Sequence, residues 1–354
     1  SPMSSSLNLR GLQYEELKNK KASKVLIAGL KKITFQDLSQ KLDMTWYRAN
    51  GVEQKKYRAI TSNNEFEEKI MTPIVKKILE CQEKGTVFDI AVDTETTGLY
   101  VYYLSDDNPV KDHCVAIPIC WEFGKSFVIY TDMLHFSNAD NEYVIGRLAE
   151  LFENFQGERD IVYWEKEEKA VEEFLWRSSV TNGFDSGSLE GNEILGEGET
   201  FHESKKIRRV AKIRRSSINL VGHNSGFDGR VFFSYGKKFY FNQDTLQMAF
   251  DINPQSVRGS KKLKVLTRFF FHAETPELDD VLGRGNEDKY RYLEDDEVAR
   301  IYGCADADYT LGIFYKLRAL MSEKMYYWYQ RQDIPMINIL YQSEYWGMRT
   351  IAEE

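Results

Sequence analysis

The 354-residue chain has a net charge of −8 at neutral pH and is 42% hydrophobic, enough apolar content for one large domain or two. No apolar run approaches the length of a membrane span and no basic-then-apolar leader opens the chain, so a soluble globular protein without membrane partners is expected. The acidic balance excludes a surface that is cationic all over and leaves room for a local basic patch. Cys81, Cys114, Cys120 and Cys304 show no C-x-x-C spacing and the five histidines are scattered, which argues against structural zinc and for a reducing, intracellular setting.

Residues 1–62 are polar and Lys-rich around one apolar segment, SKVLIAGLKKITFQDLSQKL, whose pattern fits either a helix or a strand followed by a helix. From Ser62, a plausible N-cap, Phe66, Ile70, Ile74 and Ile78 recur at helical spacing as far as Gly85. The stretch FDIAVDTETTGL (88–99) then reads as a strand ending in a turn. Alternation places Asp93 and Glu95 on one face and Phe88, Ile90, Val92 and Thr94 on the other. Two carboxylates so placed either raise each other's pKa or recruit a hard cation such as Mg²⁺ or Mn²⁺. Taken alone, a solvated strand end explains the pattern equally well.

CVAIPICWEF and SFVIYTD follow as strands joined by a tight hairpin at Gly124 and Lys125, completing a three-stranded meander. NEYVIGRLAELFENF reads as an amphipathic helix and SINLVGHNS as a buried strand entering another helix near Phe227. This order predicts an α/β fold, a mixed sheet flanked by helices. Between those last two elements, residues 180–215 combine a Gly/Ser/Glu-rich segment expected to be flexible with KKIRRVAKIRR, seven basic residues in eleven. That run is either a solvated loop or hairpin or a phosphate-binding flap. DTLQMAFDI, KLKVLTRFFF and the stretch from about Asp295 to Lys324 are helical by pattern.

Two further patches carry candidate chemistry. In VGHNSGFDGRVFF, Asn224 and Asp228 are four residues apart and share a side if the helix has begun, although a turn with a helix-starting Asp accounts for the same residues. In IYGCADADYT, Tyr302 and Asp306 lie one turn apart on one helical face with Asp308 rotated away, and a surface helical Asp is the plain alternative.

In order, D-x-E at a strand end, N-x-x-x-D at a strand-to-helix turn and Y-x-x-x-D on a late helix resemble the DEDD superfamily of 3′→5′ exonucleases, tyrosine subgroup. DTETTGL, VGHNSGFD and GCADADYT look more closely like the proofreading domain of family A DNA polymerases, phage replicases among them. The resemblance spans about residues 62–354. It implies a ribonuclease H-like fold, cleavage of DNA 3′ ends, single-stranded or frayed, to 5′-nucleoside monophosphates, and two divalent cations, Mg²⁺ or Mn²⁺. It makes Asp93, Glu95, Asp228 and Asp306 the metal-binding carboxylates and Tyr302 the partner of the attacking water. It places Thr96, Leu99, His223, Asn224 and Phe227 against the substrate strand, with His223 departing from the Gln often found there.

QDIPMINILYQSEYWGMRT resembles the helix that follows the exonuclease in those polymerases, so residues 63–325 are expected to form the exonuclease domain and 326–354 to begin the polymerase region. The chain is accordingly expected to be the N-terminal part of a longer polymerase, with the polymerase domain and replisome proteins as partners and no polymerising activity of its own. A free-standing RNase D-like exoribonuclease, or an inactive exonuclease fold serving as a binding scaffold, are the competing readings.

Overall fold

A computed structural model describes residues 56–103, 112–166, 206–254, 261–273, 275 and 290–347. The segment SKVLIAGLKKITFQDLSQKL and the Gly/Glu-rich stretch up to residue 205 lie outside them.

The described chain opens with β1 (Lys56–Ile60) and then a helical rod, α1 (Asn63–Phe66), a π-helical turn (Glu67–Met71) and α2 (Thr72–Lys84). Ser62 caps it by accepting from the Glu65 N–H, and Gly85 ends it at φ 65°, a left-handed conformation that costs glycine little. There follow β2 (Phe88–Val92), the two-residue β3 (Glu95–Thr96), β4 (Cys114–Glu122), β5 (Lys125–Tyr130) and α3 (Asn141–Phe152). Next come β6 (Glu158–Lys166), β7 (Lys206–Arg214), β8 (Ile218–Gly222), α4 (Ser225–Ser234) and β9 (Gln243–Asp244). The remainder is helical: α5 (Thr245–Ile252), α6 (Leu263–Phe271), α7 (Asp296–Leu320), α8 (Glu323–Trp328) and α9 (Ile334–Trp346).

The main sheet runs β1-β5-β4-β2-β8-β9, with β3 paired to β4. Only β4 is antiparallel to its neighbours on this path; β1 pairs parallel with β5, β2 with β8 and β8 with β9. The β2-β4-β5 meander beside a parallel β8 is the ribonuclease H-like arrangement expected from the sequence. One face of β2, through Phe88, Ile90 and Val92, packs with α2, α3 and Phe232 of α4. The other, through Ala91, packs with α5, α6 and α7.

Three findings refine the expected layout. β1 lies ahead of the 62/63 boundary yet belongs to the main sheet, because its residues pair in register with all of Lys125–Ile129. Of the basic run, Lys206–Arg214 is a regular strand paired along its whole length with β6, and Arg215 is buried, donating to the Ile218 and Tyr240 carbonyls (2.7 and 2.6 Å). α9 is docked: a Cβ on Gly229 of α4 would lie 2.6 Å from Tyr341 Cδ1, and Asn338 exchanges hydrogen bonds with the Phe241 backbone (3.0 and 2.7 Å). Its apolar residues thus have a partner within the fold, although Met336, Ile339 and Trp346 stay exposed.

Candidate metal centre

The β2 ladder ends at Val92, and the chain bends through Asp93 and Thr94 before Glu95 and Thr96 pair with β4. The Asp93 N–H still donates to the Pro118 carbonyl (3.1 Å), so the bend is held in register. Thr94, pointing the opposite way, donates its hydroxyl to Asp228 Oδ1 (2.6 Å). On the α7 side, Asp93, Glu95 and Asp306 each offer an oxygen, and the three oxygens lie within 4.8 Å of one another. Asp228, 1% exposed, lies close enough to Asp93 that charge on Asp93 raises the cost of charge on Asp228.

Three of these acids are held back from ionising. Burial, then the nearby Asp306, pushes the Asp93 carboxyl up to about 7. Burial followed by Asp93 raises both Glu95 and Asp228 well above the ordinary carboxylate range. All-oxygen donors converging on one point, with Asp93 and Glu95 resisting charge because burial and their acidic neighbours penalise it, suit a hard divalent cation.

Lys264 of α6 was not legible as a site residue. Its ammonium ion-pairs with Asp306, both side chains being 11% exposed, and sits 4.8 Å from the ring centroid of Tyr302. It also lowers the cost of charge on Asp93 and Glu95. Tyr302 and Asp306, one turn apart on α7, therefore face the same cluster through a shared neighbour.

The turn from β8 into α4 is built by another residue that motif reading missed. Asn224 takes φ 66°, ψ 44°, an unusual conformation outside glycine. It is stabilised by Asp244, whose carboxylate accepts from the Ser225 N–H and hydroxyl (both 2.7 Å) and caps α5 at the Gln247 N–H (3.0 Å). Asp244 stands immediately before a helical run, which is the sequence signal of an N-cap. Because α4 begins only at Ser225, Asn224 is exposed while Asp228 is buried; the two do not share a side.

The remaining candidates have the following surroundings. Leu99 is 61% exposed beside Tyr100 at 59%, on a loop fastened by Asp112, which accepts from the Tyr100 N–H (2.8 Å) and the Thr97 hydroxyl (3.2 Å). Thr96 turns its hydroxyl to the Gly98 carbonyl (2.7 Å). His223 meets the Thr245 hydroxyl (2.8 Å), and desolvation holds its imidazole down to about 4. Phe227 is half-buried, with the Arg230 guanidinium 5.6 Å from its ring centroid. Asp308, rotated away as expected, is fully buried in a separate network, accepting from the Tyr57 hydroxyl (2.6 Å) and the Gly124 N–H (2.7 Å).

The sequence matches no protein-family model and no curated protein. Solved structures similar to it include RNase D of Escherichia coli, at 13% identity and TM-score 0.43 over 81% of this chain and 51% of that one. The catalytic core of RRP6 from Trypanosoma brucei aligns at 11% and 0.39 over 82% and 56%. NrnC of Brucella melitensis, bound to pGG, aligns at 12% and 0.39 over 82% and 90%. The chain spans about half the length of the RNase D and RRP6 chains.

Proposed function

We propose that the chain is a divalent-metal-dependent 3′→5′ exonuclease that releases 5′-nucleoside monophosphates from single-stranded or frayed DNA 3′ ends, as the proofreading part of a family A DNA polymerase. The observation that carries this reading is the convergence of Asp93, Glu95 and Asp306, from two separate elements, on one point beside buried Asp228. These carboxylates would hold Mg²⁺ or Mn²⁺, which when bound supplies Lewis-acid stabilisation of a phosphodiester and a more acidic water.

The chain's own residues do the rest. Thr94 orients Asp228, and Lys264 limits the repulsion within the cluster. The Tyr302 hydroxyl, on the same helical face as Asp306, orients a water by hydrogen bonding. Exposed Leu99 and Tyr100 offer an apolar rest for a terminal base once it is unpaired. The proofreading assignment is supported by the motif order and by the likeness of QSEYWG to the helix after the exonuclease.

The test is a 5′-labelled strand of one sequence, supplied as DNA and as RNA, with Mn²⁺ or EDTA. The expected result is a metal-dependent ladder that shortens from the 3′ end, faster on DNA. Preference for RNA would favour the RNase D-like reading, and internal cuts or no cleavage would refute both.

A further inference from the structure

We infer that the outward face of the β6–β7 ribbon is a second nucleic-acid contact, a track for the sugar-phosphate backbone of a strand whose end lies in the carboxylate centre. The inference rests on the nuclease reading and extends it to a segment that the motifs do not touch.

Alternation along β7 sends Ile207, Arg209, Ala211 and Ile213 towards α2 and leaves Lys206, Arg208, Val210, Lys212 and Arg214 outward. Most of the inner side's charge is paired. Arg209 and Lys76 both bind Glu165 (3.0 and 2.6 Å) beside a groove of about 680 Å³ between ribbon and helix, and Lys206 at the ribbon's tip is the cation of its lining that enters no ion pair among the described residues. On the outer side Lys212 is matched by Asp160 (3.2 Å), while Lys166 turns to Glu68 on the rod (2.9 Å). Lys206, Arg208 and Arg214 are exposed and make no ion pair among the described residues; Glu158, across from Arg214, is the remaining acid on this face. Trp164, 38% exposed, sits opposite Arg208, and Val210 is 53% exposed.

Outward residues on a strand repeat about every 6.8 Å, a spacing that suits successive charges of an extended polyanion. An exposed indole among them suits a base. Combined with Lys206 and Arg208 one such repeat apart and Arg214 further along the same face, this favours a single-stranded nucleic acid over an acidic protein surface.

Topology also aims the ribbon. β1 and β2 run the same way, so Ile60 ends at the same edge as Asp93, and the helical rod 63–84 descends from that edge to re-enter β2 at Phe88. Lys166 pairs with Glu68 and the Trp164 carbonyl accepts from the Thr72 hydroxyl (2.7 Å) on the upper rod, whereas the Arg214 N–H donates to the Gln82 side chain near its foot (2.8 Å). The Lys206–Arg208–Trp164 end of the track therefore points to the edge that carries the carboxylates.

The test compares the chain with a Lys206→Gln, Arg208→Gln, Arg214→Gln variant. Fluorescence anisotropy with a 20-nucleotide DNA and the same RNA, in EDTA across a salt series, is paired with metal-dependent cleavage of a trinucleotide and of the 20-mer. The expected result is roughly ten- to hundredfold weaker binding of both long strands at low salt, with a salt slope smaller by about 2, at ~0.7 per lost contact. Trinucleotide cleavage should be unchanged. Unaltered affinity and slope would overturn the track, as would equal losses on the trinucleotide and the 20-mer. No cleavage of either substrate by the unaltered chain would strike the nuclease reading instead.

Discussion

Thr94→Val removes one hydroxyl from the centre and replaces it with a methyl group of nearly the same shape. Thr94 is 7% exposed and Asp228 1%, so water cannot readily replace the 2.6 Å bond between them. Without metal, burial and Asp93 favour a protonated Asp228, and a hydrogen bond between neutral groups contributes about 1 kcal/mol. If Asp228 serves as a ligand it would be a carboxylate with a cation in place, and the same bond would contribute about 1.5–3 kcal/mol. The difference, about 0.5–2 kcal/mol, should appear as roughly two- to thirtyfold weaker Mn²⁺ binding. Calorimetric Mn²⁺ titration measures that change, and urea unfolding in EDTA and in Mn²⁺ measures the two stability losses separately. Equal losses in the two conditions, with unchanged Mn²⁺ affinity, would refute the claim that Thr94 prepares Asp228 as a ligand.

Replacing Asp93 and Glu95 together by Ala should abolish Mn²⁺ binding and cleavage while raising the melting temperature in EDTA, since acids that resist ionisation are removed; a fall in melting temperature would contradict the electrostatic account. For Asp93, whose folded pKa is about 7 against 3.8 unfolded, the native state keeps a proton that the unfolded chain releases, so metal-free stability should fall as pH rises from about 4 to 7 and level off above. The slope is at most about 1.4 kcal/mol per pH unit for this group, and thermal melts of Asp93→Asn should show it diminished. Tyr302→Phe should slow cleavage by ~10–10³ at saturating metal without weakening Mn²⁺ binding, and a change in affinity alone would assign Tyr302 to the metal instead. Gly229→Ala drives a methyl group into Tyr341, and should cost about 1–3 kcal/mol and expose α9 to faster hydrogen exchange; exchange rates equal to those of the unaltered chain would refute the docked helix.

The elements that depend on local pattern were legible before any coordinates. The Ser62-capped helix, the meander hinged at Gly124 and the one-turn pairing of Tyr302 with Asp306 each follow from a period of 3.6 or 2 and from a capping or turn residue, information held within a few neighbouring positions. The alternation that put Asp93 and Glu95 on one side survives the bend after Val92, because the Asp93 N–H keeps its place in the ladder. Tertiary structure alone decided which distant groups meet. Lys264 reaches Asp306 across 42 positions, Thr94 reaches Asp228 across 134, and Tyr57 reaches Asp308 across 251. Local spacing carries no record of such contacts. Likewise KKIRRVAKIRR reads as a charge run until β6 pairs with it, since strand pairing, not composition, assigns Arg209 inward to Glu165 and Arg208 outward to solvent.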